Sequence, residues 1–203
     1  SGRRPVEWLL DSQPVDGHWC FIHATHMTET ETAGMARAGA IAGLCPVTEA
    51  NLGDGTFPAA DFLAAGGRFG VGSDSNVLIG LPDELRQLEY SQRLAHRARN
   101  VLATPGGSTG RALFDGALSG GAAALGAASG IATGQAADFV SLKARHGLDL
   151  EGDALLDGWI FANAAMVDCV WVNGQKRVEA GCYAERAAIG RRFASVMRAL
   201  AVA

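Results

Sequence analysis

Three short apolar runs constrain this chain most: residues 18–24 (HWCFIHA), 40–46 (AIAGLCP) and 67–73 (GRFGVGS), set roughly 20 to 30 residues apart. Each has the length of a buried strand rather than of a helix. After the first, Thr28 with Glu31 three residues on has the capping-box spacing and predicts a helix through about Arg37, stopped by Gly39. Residues 58–65 (PAADFLAA) predict a short helix after the second, with Pro near its first turn. Pro82 opens a charged helix through about Val101 after the third. Strand and helix in strict alternation is the pattern of parallel βα units, because parallel neighbours need a long crossover. The 27 glycines in 203 residues, about twice the usual share of roughly 7%, fit the many tight turns such a chain needs.

Beyond Gly107 the pattern changes. Two small-residue helical stretches are expected near 108–117 and 119–127, followed by strands at 137–142 (ADFVSL), 167–172 (VDCVWV) and 176–180 (KRVEA). Asn173-Gly174 between the last two is a two-residue hairpin signal. The tail from Ala184 to about Leu200 reads as a basic amphipathic helix with Ile189, Phe193, Val196, Met197 and Leu200 on one face, expected to pack on the rest of the fold. The expected division is 1–127 for the βα units, 128–183 for a small β module and 184–203 for the terminal helix.

With 48% apolar and 19% charged residues, the chain can bury a sizeable core. A formal charge of −4 with 17 scattered Lys and Arg leaves no basic footprint for a nucleic acid and no polybasic membrane patch. No apolar run reaches the roughly 18 to 20 residues that cross a bilayer, and the start (SGRRPVEWLL) lacks the order of a signal peptide. Cytoplasm is therefore the expectation. Cys20, Cys45, Cys169 and Cys182 lie far apart in apolar runs, which reads as buried free thiols in a reducing compartment. The absent initiating Met suggests a chain that begins in the middle of something.

In a parallel βα fold, chemistry belongs at the carboxyl ends of the strands. The first run ends in His23-Ala24-Thr25-His26, with His23 on the strand face opposite Ile22. His23 is there either a satisfied structural group or a functional one. The second ends in a polar, glycine-closed loop, residues 46–55, which carries Glu49 and Asn51 and could position a substrate. The third ends in Gly72-Ser73-Asp74-Ser75-Asn76, a carboxylate between two hydroxyls. Asp74 is a metal ligand, a proton acceptor or the cap of the helix that follows. Zinc takes His nitrogen and Asp oxygen and lowers the pKa of a bound water to about 7. Two such groups are present, where a site needs three or more.

The segments FIHATHMTETET, GLCPVTEANLGDG, GVGSDSN and GQAADFVSL are similar to the carboxyl-terminal half of the amidohydrolase superfamily, and most resemble its formiminoglutamate deiminase family, over nearly the whole chain. The resemblance implies an α/β fold: the carboxyl-terminal part of a (β/α)8 barrel, then a small β-sandwich built from both chain ends, then the terminal helix. It implies one zinc ion with Asp74, after the eighth strand, as ligand and proton acceptor. His23, after the sixth strand, would be catalytic and orient the attacking hydroxide or the substrate. His26, Glu49, Asn51, Ser75 and Asn76 would contact the substrate or support these groups. The reaction implied is hydrolysis of the small molecule N-formimino-L-glutamate to N-formyl-L-glutamate and ammonia.

Departures from the family pattern bear on this. The family's His-x-His ligands and its further His and Glu would lie upstream of Ser1, and Asn76 stands where the family pattern leads one to expect His. His96 and His146 read as surface groups rather than substitutes, and Arg68 as a surface charge. A barrel of eight units takes about 200 to 250 residues, and only three units fit before residue 127. The chain is thus expected to need the missing amino-terminal half of the barrel, with a homodimer as the complete form. The alternatives are another superfamily deaminase or chlorohydrolase-type enzyme, and an inactive remnant without the upstream ligands.

Overall fold

A computed structural model describes residues 2–75 and 78–201; Asn76 lies outside the described residues. The chain opens with helix α1 (Pro5–Ser12), then strand β1 (Cys20–Ile22), helix α2 (Glu29–Ala38), strand β2 (Ile41–Leu44), helices α3 (Pro46–Leu52) and α4 (Ala59–Ala64), and strand β3 (Arg68–Val71). The three strands form one parallel sheet in chain order, with Phe21, Ala42 and Phe69 in one row and Ile22, Gly43 and Gly70 in the next. All three carboxyl ends therefore meet at one edge.

Helix α2 begins as expected. Thr28 Oγ1 accepts the Glu31 N–H at 3.2 Å, and Glu31 returns the contact by accepting the Thr28 N–H at 2.8 Å. Gly39 ends the helix in the left-handed region at φ 79°. The Glu31 side chain also pairs with Arg4 at 2.8 Å and accepts the Glu7 N–H at 3.1 Å. Burial works against its charge, but these donors hold the carboxyl below its usual range. Thr28→Ala leaves the Glu31 N–H without its cap and is expected to cost about 1 kcal/mol, measured by urea denaturation.

The sequence expectation fails at Pro46, where a loop was foreseen and helix α3 forms. Pro46 sits in its first turn, where a fixed φ and a missing N–H cost nothing, and Gly53 closes it at φ 73°. Helix α5 (Leu81–His96) stops short of Val101. Arg97 turns left-handed at φ 52°, and the buried Glu89 collects the N–H groups of Val101 and Leu102 at 3.0 Å each. The two helical stretches expected at 108–117 and 119–127 are one helix, α6 (Thr109–Ala124), capped by Ser108, whose hydroxyl accepts the Arg111 N–H at 3.0 Å.

Past α6 the chain forms strand β4 (Phe139–Ala144), helix α7 (Gly152–Phe161), strands β5 (Ala165–Val172), β6 (Gln175–Glu179) and β7 (Cys182–Tyr183), and helix α8 (Arg186–Leu200). Two compact units result. One takes in the chain up to Gly130 together with Leu150–Asn163; the other is Ile131–Asp149 with the chain from Ala164 onward. Residues 150–163, grouped in the sequence reading with the β module, thus pack with the βα units. Leu156, Trp159 and Ile160 of α7 are buried there, a helical i, i+3, i+4 face.

The core of the first unit holds Met35, Ile41, Leu44, Phe62, Leu85, Leu88, Leu113 and Ile160, all fully buried. In the second, β4–β5–β6–β7 make one antiparallel sheet. The β5–β6 hairpin turns on Asn173 and Gly174 at φ 49° and 74°, as their sequence foretold. Cys169 is buried but Cys182 is exposed, against the expectation of four buried thiols; Cys182 lies in the two-residue β7 at the sheet edge. The expected packed face of α8 is also not met: Ile189, Phe193, Val196, Met197 and Leu200 are all exposed. No described helix is long and apolar enough to cross a membrane.

Candidate active site

The parallel register brings the ends of β1, β2 and β3 side by side, and three side chains converge there. His23, Cys45 and Asp74 each place one potential ligand atom within 4.8 Å of those of the other two. The backbone is bent to present them. His23, Ala24 and Asp74 lie in the left-handed region at φ 63°, 51° and 49°, a conformation that His and Asp tolerate better than most residues and Ala poorly. The His23 N–H continues the ladder by donating to the Gly43 carbonyl at 2.9 Å, and the Gly72 N–H donates to the Leu44 carbonyl at 2.9 Å. Strand pairing therefore holds the chain just before the turn at His23 and just before that at Asp74.

The imidazole of His23 stands between two carboxylates. Its Nδ1 is 3.2 Å from Glu49 Oε1, and its Nε2 is 3.7 Å from Asp74 Oδ2. Glu49 is buried in the first turns of α3, and the same Oε1 accepts the Cys45 N–H at 2.8 Å. His23 and Asp74 keep 35% and 41% of their side-chain surface exposed, enough for a small molecule to reach both. Thr48 Oγ1 donates to the Ser73 carbonyl at 2.9 Å and ties α3 to the loop carrying Asp74.

Burial, with the charges of Glu49, Asp74 and Glu84 around it, pushes the Cys45 thiol up to about 11. Without a cation beside it the sulfur is a thiol at neutral pH, not a nucleophilic thiolate. Imidazole nitrogen, carboxylate oxygen and cysteine sulfur are all donors that a divalent zinc ion accepts, so the donor set at this edge fits such an ion.

Sequence reasoning placed His23, Glu49 and Asp74 in one site, and they meet. The capping alternative for Asp74 falls away, since α5 starts at Leu81 with Gly80 as its cap residue. His26 is exposed and lines a cavity of about 600 Å³ with Arg4, Trp19, His23, Thr25 and Asp54. Ser75 is exposed beside Asp74. Asn51 does not join the cluster: two positions past Glu49 on α3 turns it about 200° around the helix, and it is exposed. His96 and His146 are exposed, as expected.

Two residues were missed. Cys45 had been read only as a buried thiol, although its place after β2 matches that of His23 after β1. Glu84 had been read only as part of a charged helix, yet it is buried, accepting the Val47 N–H at 2.9 Å through Oε2. Its Oε1 has no hydrogen-bond partner. Burial, and the charges of Glu49 and Asp83, push this carboxyl above its ordinary 4.5. A raised value in the fold means the protonated form is favoured there, so the stabilisation is complete below 4.5 and lost as pH rises through the folded value. Glu84→Gln is therefore expected to raise the melting temperature at pH 7 and to give no gain near pH 4, as thermal melts at the two pH values will show.

Comparison with known proteins extends the picture. The amidohydrolase family model matches residues 4–177. The chain is 50% identical over 202 residues to the formimidoylglutamate deiminase of Pseudomonas aeruginosa, covering 97% of this chain and 45% of that protein. It superposes on the crystal structure of an amidohydrolase from Brucella melitensis with a TM-score of 0.95 and 63% identity, covering 98% of this chain and 45% of that one. A zinc-bound adenosine deaminase from Xanthomonas campestris shares the fold at a TM-score of 0.79 and 23% identity, with 98% and 46% covered. The chain thus spans less than half the length of these relatives.

Proposed function

The chain belongs to the amidohydrolase family, and from that premise we propose that it is the carboxyl-terminal part of a (β/α)8 barrel enzyme, with a small β-sandwich portion and terminal helix. The reaction is hydrolysis of N-formimino-L-glutamate to N-formyl-L-glutamate and ammonia. The observation that carries this reading is His23 held between Glu49 and Asp74 at the carboxyl ends of three parallel strands. It occurs in a chain 50% identical to a formimidoylglutamate deiminase over almost its whole length.

Asp74 would hold a divalent metal, zinc by the chemistry of the donors, with the remaining ligands supplied by the part of the enzyme this chain does not span. Bound there, the metal would act as a Lewis acid on the water and the amidine. The chain's own residues do the rest. Asp74 Oδ2 accepts the proton of the attacking water as its oxygen bonds to the amidine carbon. His23 Nε2, on the other side of the gap, orients that water or the substrate. The C–N bond breaks as the leaving nitrogen takes up a proton and departs as ammonia. His26 and Ser75 are the candidates for substrate contacts around the mouth; Asn76 is carried as a further candidate by the sequence resemblance alone. The same reading places the protein in the cytoplasm, joins this chain to the missing barrel half, and makes the complete enzyme a homodimer.

Ammonia release from N-formimino-L-glutamate by the complete natural protein tests this reading, with metal content measured on the same sample. Release with one metal per chain is the expected result. Metal without release would turn the search to aminated heterocycles and chlorohydrolase-type substrates, and a protein that takes up no metal would be an inactive remnant.

A further inference from the structure

We propose that Glu49 is the positioning residue of this site, fixing the His23 imidazole as its Nδ1–H tautomer and so turning a bare Nε2 toward Asp74. The inference rests on the function proposed for His23 and Asp74 and adds the part that sets their roles. Glu49 is buried, and its Oε1 is pinned by the Cys45 N–H at 2.8 Å. That oxygen already accepts the Cys45 N–H, so in the 3.2 Å contact with His23 Nδ1 it accepts again and the ring nitrogen donates. Which nitrogen of a histidine carries the proton is set by the partner of the other.

The consequence lies on the far side of the ring. Nε2 and Asp74 Oδ2 stand 3.7 Å apart, too far for a direct hydrogen bond. In that neutral tautomer both atoms facing the gap are acceptors. The group that bridges them must donate twice, which an attacking water or the NH2 of an amidine can do and a carbonyl or ether oxygen cannot. Glu49 thereby selects for a two-donor species at the reacting position without touching it. Its α3 scaffold is anchored independently, by Thr48 on the Ser73 carbonyl and by Glu84 on the Val47 N–H.

The test uses the complete natural protein in its metal-loaded form, with selectively 15N-labelled histidine. The expected wild-type spectrum shows His23 protonated on Nδ1 and bare on Nε2. Glu49→Gln keeps an oxygen where the Cys45 N–H holds it, and is expected to retain that tautomer with a smaller loss of kcat than Glu49→Leu. Glu49→Leu is expected to lose the tautomer and about 10- to 100-fold in kcat, with KM little changed. A proton on Nε2 in the wild type overturns the inference, even if Glu49→Leu fails to fold. A Glu49→Leu enzyme of wild-type kcat overturns it too, as does one that merely melts earlier with the His23 tautomer intact. Wild-type protein that turns over no N-formimino-L-glutamate sinks the function proposed above, whereas normal wild-type turnover with any of those three results sinks only this one.

Discussion

His23→Ala in the complete enzyme is expected to lower kcat by about 10²- to 10⁴-fold, the range for removing a group that handles or orients a proton in the transition state, while the metal stays bound. The argument is geometric. His23 Nε2 faces Asp74 across 3.7 Å, and its other nitrogen is already engaged by Glu49. Deleting the ring leaves Asp74 in place, because the turn at Asp74 is held by backbone: Gly72 N–H on Leu44, and the Ser73 carbonyl on Thr48. Asp74→Ala is the contrast: it removes the carboxylate proposed both to bind the metal and to accept the proton, so that metal and turnover are both expected to be lost. Metal analysis of gel-filtered protein beside steady-state kinetics separates the two. An active His23→Ala enzyme would remove His23 from the mechanism and leave it a structural group.

Gly120→Ala is the substitution expected to damage the fold most for its size. A Cβ there would lie 1.9 Å from the Phe69 carbonyl oxygen and 2.4 Å from its carbon, so the obstacle is backbone and cannot rotate away. Helix α6 would have to lift off β3, the strand whose end carries Asp74. A Cβ on Gly116, one turn earlier, would meet the Phe69 ring at 2.6 Å, and one on Gly70 of β3 would meet Gly121 at 2.9 Å; the helix and strand approach each other through missing side chains. A cost of about 3 kcal/mol, at the upper end for overpacking, would lower the melting temperature by roughly 10 °C in a chain of this length. Gly121→Ala is the control. Its Cβ meets nothing within 4 Å, so it is expected to leave stability unchanged or raise it by up to about 1 kcal/mol through helix propensity. Equal losses at both positions would refute the close-approach account.

The metabolic proposal and these packing effects meet at β3. The strand must sit close enough to α6 for Gly120 to matter, and its end must turn sharply at Asp74 for the carboxylate to face His23. Loss of the first contact would therefore be felt as loss of the second. A Gly120→Ala protein that stays folded is expected to show weakened activity for that reason.

What the amino-acid sequence determined by itself was the local and the periodic. Capping by Thr28 and Glu31, the stop at Gly39 and the Asn173-Gly174 turn each depend on residues within four positions of one another, and each formed as read. The three strands were legible because a short apolar run has few other uses. Parallel order then put His23, Glu49 and Asp74 at one edge, since strands joined by helical crossovers must run the same way. What tertiary structure decided was everything that depends on a distant partner. Helix α3 formed at residues read as loop, with its first turn held by Glu84 from 37 positions away. Helix α7 joined the βα unit rather than the β module, because its buried face is completed by residues far earlier in the chain. Cys45 and Glu84 became part of the site's surroundings only when β2 and α5 were brought to the same edge. Glu84 had no local pattern to set it apart from its charged helix, and Cys45 had only its place at the end of a strand.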